Sequence, residues 1–417
     1  MFDDNEPTGV AVVDLPPLPD GWTYRTLGDL LRPNGLSYGV VQPGSENPTG
    51  IPILRVKNIR RGRVLTDDVL RVSRDIEANY QRTRLKGGEV LLSLVGSVGE
   101  VAIAPAISEG WNVARAIAVI RVVDTLESSW IKLCLESELA QHFMHIWQTT
   151  TVQATLNLRD VRQIPIVLPP KRDREAITCV LGALDDKIAV NGQIVATSVA
   201  LADGYYEKFS GSIDLGPVTF EVVASIRGGG TPSTGESNYW DGGIPWTTPS
   251  DVTALSAPYL FKTSRTITDS GLANCASQLY PAGSIFMTSR ATIGAFAVSQ
   301  MPAAVNQGFI VVVPPRDELR WWLFHEMRSR VDEMLNLANG STFLELSRKN
   351  FKAMPVRVAS PEILQQFDAK VAPLHQRAAQ AAHESAVLAG LRDTLLPKLM
   401  SGEVRVRDAE KVVEDVT

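Results

Sequence analysis

The amino-acid sequence predicts an α+β protein with two similar globular domains, each a mixed sheet with short helices, separated by two long helices packed as an antiparallel coiled coil. Three observations predict this fold: an internal repeat of about 190 residues, short runs rich in Val and Ile, and two long segments with heptad spacing. The period is far longer than the roughly 20 to 50 residues of a solenoid repeat. Each copy is therefore expected to be a whole domain, which makes the chain a pseudo-twofold internal repeat.

Four pairs of segments carry the repeat. First copy before second, they are residues 51–59 and 244–252, 88–99 and 283–294, 156–165 and 346–355, and 201–211 and 391–402. The second pair ends each time in a glycine, Gly99 and Gly294, that follows a β-branched or apolar residue. The matches keep the same order in both halves, which indicates duplication of a folded unit.

Short β-branched runs bounded by Gly, Pro and Asn predict the strands. The expected strands are Ile51–Val56, Val90–Val95, Ala116–Val122, Ile285–Thr288 and Phe309–Val313. One further helix is expected in each copy, over about Ser129–Gln148 and about Leu319–Leu337. Polar and basic loops separate these elements.

Two segments carry apolar or small residues at alternating spacings of four and three. In the segment from Arg174 to Ser210 the seam includes Leu181, Leu184, Ile188 and Tyr205, and in the alanine-rich second copy it includes Val371, Leu374, Leu388 and Leu395. This spacing predicts a coiled-coil seam, and a helix of about 35 residues spans about 50 Å, more than one turn of DNA at about 34 Å. The alternative is two separate amphipathic helices, each lying on its own domain.

The expected organisation has six parts. They are an acidic N-terminal tail (1–20), the first globular domain (21–170), the first long helix (171–211), the second globular domain (212–360), the second long helix (361–402) and a C-terminal tail (403–417). The net charge of −5 is concentrated in the tails, because residues 1–20 contribute five acidic and no basic side chains. Between residues 50 and 115 there are instead eleven Lys or Arg against seven Asp or Glu, including Arg61 and Arg63. Such a basic segment indicates either a nucleic-acid surface or a solvated charged face.

Neither catalysis, metal binding nor a membrane is indicated. Gly228–Gly230 is followed by Thr-Pro and lacks the lysine of a phosphate-binding loop, and His325–Glu326 lacks the second histidine of a zinc protease. The three cysteines are far apart in sequence and form no metal or disulfide pattern. We therefore expect a cytoplasmic binding protein with no catalytic residue and no bound metal.

Loop residues that hydrogen-bond bases or phosphates are the candidate DNA contacts. In the first domain they are Arg55, Lys57, Asn58, Arg60, Ser93, Ser97, Arg115, Gln153 and Asn157, and in the second Thr247, Thr248, Ser250, Ser289, Arg290, Thr292, Asn306, Gln307 and Ser341. Arg290 and Thr292 replace Val95 and Ser97 at corresponding positions. Such replacement is how two copies of one scaffold would recognise different sequences, although each residue alone is equally compatible with a turn cap or a solvated side chain.

Several segments together resemble the specificity (S) subunit of type I restriction-modification enzymes. The segments that carry the resemblance are Leu18–Leu30, Ile164–Pro170 with its heptad helix, Gly243–Asp251, Asn306–Phe309 and Leu396–Glu403. Their order and their recurrence make the resemblance specific over roughly Leu18–Arg405. The alanine-rich second helix and the acidic tails depart from the family pattern.

The resemblance implies that the globular domains are target-recognition domains, each recognising one half of a bipartite asymmetric site in double-stranded DNA. The helices would set the gap and dock two methyltransferase (M) subunits, which carry S-adenosylmethionine. Restriction (R) subunits would add translocation and cleavage driven by ATP and Mg. No cofactor is expected on this chain itself. The alternatives are a self-contained DNA methyltransferase or nuclease with an unrecognised catalytic centre, and a scaffold that presents two protein-docking faces.

Overall fold

The computed structural model describes residues 15–60, 62–123, 126–150, 154–338 and 344–414, apart from the side chain of Thr150. The chain divides into two compact units. The first unit comprises the described parts of residues 1–185 and 389–417, and the second unit comprises those of residues 186–388. Both long helices contribute to both units.

The elements up to the first long helix are, in chain order, β1 Thr23–Thr26, β2 Leu31–Tyr38, β3 Ile51–Leu54, β4 Ile59–Arg60, β5 Arg63–Val64, β6 Leu70–Val72, α1 Arg74–Glu77, β7 Val90–Ser93, β8 Val101–Ile103, β9 Asn112–Val113, β10 Ile117–Val122, α2 Ser128–Glu136, α3 Glu138–Trp147, β11 Thr149–Thr150, β12 Ala154–Thr155, α4 Leu158–Gln163, β13 Pro165–Leu168 and α5 Lys171–Ser210. The remaining elements are α6 Phe220–Val223, β14 Ser225–Arg227, β15 Trp240–Thr247, α7 Pro249–Thr253, β16 Tyr259–Leu260, β17 Arg265–Ile267, α8 Asp269–Ala273, β18 Ile285–Thr288, β19 Phe296–Ser299, β20 Ala304–Val305, β21 Phe309–Val313, α9 Asp317–Ser329, α10 Val331–Asn336, α11 Arg348–Ala353, α12 Pro361–Ser401 and α13 Val406–Glu414.

The two units repeat one sheet topology. In the first unit β2-β10-β7-β8 form an antiparallel sheet, and in the second β14-β21-β18-β19 pair in the same way, with β16 added beside β19. A smaller sheet, β6-β3-β9 or β17-β15-β20, has its last pair parallel in both units. The predicted duplication and the α+β fold class are confirmed.

Central strands bury both faces, which explains their continuous apolar runs. In β10, Ile117–Ile120 are all buried, and β18 is buried along its whole length. The predicted strands Ile285–Thr288 and Phe309–Val313 have the expected bounds. The other predicted strands are each present and end or begin one or two residues inside the expected range.

The prediction of a single helix in each copy is wrong in one detail, because two consecutive helices are present in each unit: α2 and α3 in the first, and α9 and α10 in the second. In the first unit Ser137 interrupts α2 and α3, and its hydroxyl caps the amide of Ala140 at 3.4 Å. In the second unit the break falls at Arg330, which forms ion pairs with Glu326 at 2.9 Å and Glu333 at 2.7 Å. At Ser137 local capping overrides the apolar periodicity, and at Arg330 the backbone leaves helical geometry, with φ at −123° and ψ at 24°.

The long helices run antiparallel within each unit. In the second unit the Asn191 amide donates to Glu384 at 2.8 Å, and the Tyr206 ring lies 6.2 Å from that of Phe367. In the first unit Arg392 bonds Asp185 at 2.9 Å. Residue numbers thus rise on α5 as they fall on α12, and the coiled-coil prediction is confirmed over the alternative of separate helices.

Where the long helices meet the globular part of each unit, the two units use different chemistry. In the second unit a hydrogen-bond chain joins four side chains: Asp203 to His325 at 2.7 Å, His325 to His375 at 2.8 Å, and His375 to Tyr259 at 2.8 Å. A neutral imidazole has one donor and one acceptor nitrogen, so all donors can point the same way. The Tyr259 hydroxyl donates to His375, His375 donates to His325, and His325 donates to the Asp203 carboxylate. Burial lowers the pKa of both histidines, with a further contribution from Arg328.

In the first unit the corresponding junction is ionic. Lys132 lies 3.1 Å and Arg392 2.9 Å from the Asp185 carboxylate. Burial alone would raise the pKa of Asp185, but these two cations outweigh it and hold the pKa below its usual range. The helices that contain Trp130 and Trp322, α2 and α9, are equivalent, because both indoles form the same type of hydrogen bond. Trp130 donates to Val167 O at 2.9 Å, and Trp322 donates to Arg357 O at 2.8 Å.

We predict that the second unit loses stability as the pH falls below about 6.5, the pKa of unfolded histidine. The folded pKa values of His325 and His375 are lower, so the unfolded chain takes up protons first. Each such proton contributes up to about 1.4 kcal/mol per pH unit. Urea unfolding between pH 7.5 and 5.5 measures this loss. The variant His145→Gln, at an exposed histidine, should keep the wild-type slope, and His375→Phe should reduce it; equal slopes for both would contradict the prediction.

Adjacent positions on α12 provide a second test. Leu388 is fully buried and Val387 is 43% exposed. Leu388→Ala should lower the free energy of unfolding by about 2 to 5 kcal/mol, whereas Val387→Ala should change it by about 0.5 kcal/mol or less. Urea midpoints at constant m-value compare the two. Similar losses for both variants would show that Leu388 is not enclosed by this chain.

Candidate nucleic-acid interface

Four chain segments form one exposed surface in each unit, here called the loop face. It comprises residues 54–58, 94–97, 113–116 and 154–157 in the first unit, and residues 247–251, 289–292, 305–308 and 344–347 in the second. The first three segments of each unit begin or end at a strand, and the fourth precedes the short helix α4 or α11.

The same main-chain hydrogen bonds fasten the loop face in both units. In the first unit the amide of Ala114 donates to Leu54 O at 2.8 Å, and that of Leu94 to Ala116 O at 2.7 Å. The amide of Leu156 donates to Leu94 O at 2.9 Å. Two of these three bonds join residues that are 60 or more positions apart in sequence.

The second unit repeats the three bonds. Asn306 N donates to Thr247 O at 3.0 Å, Ser289 N to Gly308 O at 2.8 Å, and Leu346 N to Ser289 O at 2.9 Å. The backbone of the loop face is therefore the same in both copies, whichever side chains it carries.

A glycine permits a close backbone approach behind each loop face. A Cβ on Gly39 would lie 1.8 Å from Val113 O, and one on Gly229 would lie 2.0 Å from Val305 O. No side chain fits at such distances. Gly228–Gly230, which lacks the lysine of a phosphate-binding loop, thus has a packing role at Gly229.

Equivalent side chains also hold the turns. Asn58 accepts from the amide of Arg55 at 2.9 Å, as Asp251 accepts from that of Thr248 at 2.7 Å. Ser93 and Thr288 each donate from the side-chain hydroxyl to the carbonyl four residues later. These residues are structural parts of the repeat.

The side chains that point outward differ between the copies. Judged by the shared bonds, Arg55, Lys57 and Arg115 of the first unit correspond to Thr248, Ser250 and Gln307 of the second. Val95 corresponds to Arg290, and Thr155 corresponds to Glu345. An isolated β-bridge joins Val95 to Thr155 in the first unit and Arg290 to Glu345 in the second. The first loop face is therefore more basic, and the second is polar with one ion pair.

Part of the positive charge of the first loop face is paired. Arg55 lies 3.3 Å from Asp68, and Lys57 contacts the same carboxylate. Lys57, followed by Arg55, holds the pKa of Asp68 below its usual range. Asp68 is 75% exposed at the side chain, so water and salt screen these pairs.

Arg115 and Gln307 have other surroundings. The guanidinium of Arg115 lies over the ring of Tyr38, 5.9 Å from its centroid, and Tyr38 is itself 45% exposed. Gln307 accepts a hydrogen bond from the Thr231 hydroxyl at 2.5 Å. On the second loop face, Arg290 pairs with Glu345 at 2.9 Å.

Most candidate DNA contacts are accessible. Those exposed are Lys57, Arg60, Ser97, Arg115, Asn157, Ser250, Arg290, Thr292 and Gln307, and those half-buried are Arg55, Thr248 and Asn306. Arg60 lies on the β4–β5 hairpin beside the loop face, and the others lie on the loop face. Gln153 and Ser341 lie outside the described residues.

Four candidates must be removed from the DNA-contact set. Asn58, Ser93, Thr247 and Ser289 are each at most 3% exposed. The side chains of Asn58 and Ser93 form hydrogen bonds with backbone groups of this chain. A side chain enclosed by its own domain cannot contact DNA, and residue type alone did not show this.

The helix residues expected to dock partners need a similar correction. Leu181, Leu184, Val371, Leu388 and Leu395 are at most 5% exposed within this chain, so they stabilise its own core. Ile188, Tyr205 and Leu374 are half-buried. Near the end of α5, Tyr206 is 3% exposed, one position after the predicted Tyr205.

Sequence reasoning missed Tyr38, Thr231 and Glu345, which contact Arg115, Gln307 and Arg290. Tyr38 and Thr231 precede or follow the glycines of the close approach, and Glu345 follows a segment outside the described residues. Gly39 and Gly229 align at the repeat period, and this alignment could have drawn attention to the nearby Tyr38 and Thr231.

In the described residues, no three His, Cys, Asp or Glu side chains gather in a way that suits a metal ion. None of the helices in the described part of the chain combines the length and apolarity that crossing a bilayer requires.

The family model of the type I restriction modification DNA specificity domain matches residues 19–197 and 217–379, more than half of the chain. The chain belongs to this family. The resemblance inferred from the sequence segments is confirmed, and the two matched stretches correspond to the two copies of the repeat.

Curated relatives in the family are similar over part of their length. The chain is 33% identical over 142 residues to the type I restriction enzyme MjaIX specificity subunit of Methanocaldococcus jannaschii, which is 34% of this chain and 33% of the relative. It is 31% identical over 176 residues to the EcoBI specificity subunit of Escherichia coli, 38% of this chain and 34% of the relative. The chain spans about a third of the length of these relatives.

A solved structure extends the likeness of fold to almost the whole chain. The S subunit of a type I restriction-modification system from M. genitalium superposes with a TM-score of 0.58 at 16% identity, over 94% of this chain and 98% of that one. At this identity the likeness concerns the fold alone.

We predict that Gly229→Ala destabilises the second unit by about 1 to 3 kcal/mol, because the added Cβ forces the strand ends apart. Urea unfolding measures the loss. The matched control is Gly216→Ala, where a Cβ would meet nothing within 4 Å, and this variant should match wild type. An unchanged midpoint for Gly229→Ala would mean that the loop face does not depend on this approach.

Proposed function

We propose that this chain is the DNA-recognition subunit of a type I restriction-modification complex. Each loop face recognises one half of a bipartite asymmetric site in double-stranded DNA. The observation that carries the proposal is the pair of loop faces with identical backbone bonds and different exposed side chains. Family membership supports the same function.

The exposed chemistry suits DNA. Arg and Lys on the first loop face supply phosphate contacts, while Gln, Thr and Ser on the second suit base edges. Ion pairs at Asp68 and Glu345 are weak enough in water to be exchanged for phosphate. The accessible candidates from the sequence, together with Tyr38 and Thr231, form the proposed contact set.

The remaining parts of the complex lie on other subunits. We propose that two methyltransferase subunits dock on the exposed sides of α5 and α12 and bring S-adenosylmethionine, while restriction subunits bring ATP and Mg. The recognition subunit positions them and is not itself catalytic. Because its substrate is genomic DNA, we place it in the cytoplasm.

The test of the proposal is an exchange of recognition segments. Replacing Gly228–Met354 by the corresponding region of a relative should change one half of the methylated sequence and leave the other half intact, because the first loop face is untouched. Methylation mapping of genomic DNA from cells that express the exchanged chain with its methyltransferase subunits measures the result. The reciprocal exchange of residues 39–164 is the matched control and should change the other half.

A methyl-transfer assay separates this proposal from a self-contained methyltransferase. The purified chain, mixed with DNA and labelled S-adenosylmethionine, should transfer no label until methyltransferase subunits are added. Transfer by the chain alone would overturn the proposal.

A further inference from the structure

We propose that Arg115 recognises a guanine in one half of the DNA site and that Gln307 recognises an adenine in the other half. This inference rests on the proposed function and adds the identity of two base-recognising residues.

Arg115 and Gln307 occupy the same place in the two copies. The residue before each, Ala114 or Asn306, donates its amide to the end of β3 or β15, and the residue after each, Ala116 or Gly308, accepts from the end of β7 or β18. Both neighbours are pinned by backbone bonds, so the central Cα is fixed while its side chain stays exposed. A fixed backbone position directs the exposed side chain to a defined place, as recognition of a nucleobase edge requires.

Each of the two side chains has one supporting neighbour from the segment that approaches through glycine. Tyr38, immediately before Gly39, underlies the guanidinium of Arg115. Thr231, two residues after Gly229, donates to Gln307. The support restrains the side chain before DNA arrives, which reduces the conformational entropy lost on binding.

The other cations of the loop faces have carboxylate partners. Arg55 and Lys57 contact Asp68, and Arg290 contacts Glu345. Among the described residues, Arg115 has no ion pair and keeps its planar fork of donors available. Ion pairs that can be exchanged suit phosphate contacts, and a guanidinium without an ion pair suits a base.

The chemistry of the two side chains selects the bases. A guanidinium donates two parallel hydrogen bonds to O6 and N7 of guanine in the major groove. A carboxamide donates to N7 and accepts from the amino group of adenine. The Thr231 hydroxyl occupies one lone pair of Gln307 Oε1, which leaves the second lone pair and the amide protons for the base.

The experiment selects binding sites from a random duplex DNA library with the full-length chain and the methyltransferase subunits that co-purify with it. Wild type should yield a bipartite sequence. Arg115→Ala should lose about 5- to 150-fold of the guanine preference at one position, because alanine has no donors for O6 and N7. Gln307→Glu should replace adenine by cytosine at one position of the other half, because a carboxylate accepts from the cytosine amino group.

Matched surface variants distinguish base recognition from general effects. Arg82→Ala and Gln300→Ala remove the same side-chain types at exposed positions away from the loop faces and should leave every preference unchanged. An unaltered guanine preference in Arg115→Ala, or an unaltered adenine in Gln307→Glu, would overturn the inference. Selection of no sequence by wild type would instead overturn the proposed function.

Discussion

Main-chain hydrogen bonds hold the loop face of each unit, and they use none of the side chains that face solvent. Three bonds at 2.7 to 2.9 Å in the first unit recur at 2.8 to 3.0 Å in the second. Each contributes only about 1 kcal/mol net, but together with the close glycine approach they fix the strand ends. Exposed side chains can therefore differ between Arg115 and Gln307 without a change of backbone, which is the condition for one scaffold to recognise two sequences.

The sequence predicted the parts of the fold that depend on local pattern. Buried strands such as Ile285–Thr288 have continuous apolar runs, and the helix seam has heptad spacing, so both could be located. Burial of individual polar residues could not be predicted. Asn58 and Ser97 are both polar residues close to a strand, yet Asn58 is enclosed and Ser97 is exposed. Asn58 is enclosed because residues 65–68 turn back over it and accept from its amide. The neighbours of Arg115 and Gln307 come from segments distant in sequence, so they were harder still to predict.

The junction of recognition domain and helices shows that duplication preserves a position better than its chemistry. Asp185 in the first unit is held charged by Lys132 and Arg392, whereas the second unit uses the neutral pair His325 and His375. Both arrangements satisfy the hydrogen-bonding groups that the helices enclose. Burial penalises an uncompensated charge far more than a satisfied neutral group, so each copy had to acquire its complete set of partners.

If the first loop face binds DNA as proposed, the carboxylate of Asp68 affects how long the protein remains on DNA that lacks its site. A donor of Arg55 or Lys57 that leaves this acceptor for a phosphate exchanges one weak attraction for another. The phosphate contact then yields less net free energy than an unpaired cation would give. Residence on random DNA would be shorter than on a loop face without Asp68, and transfer between DNA segments would be faster. An acidic side chain in a basic surface would thus speed the search for the correct site.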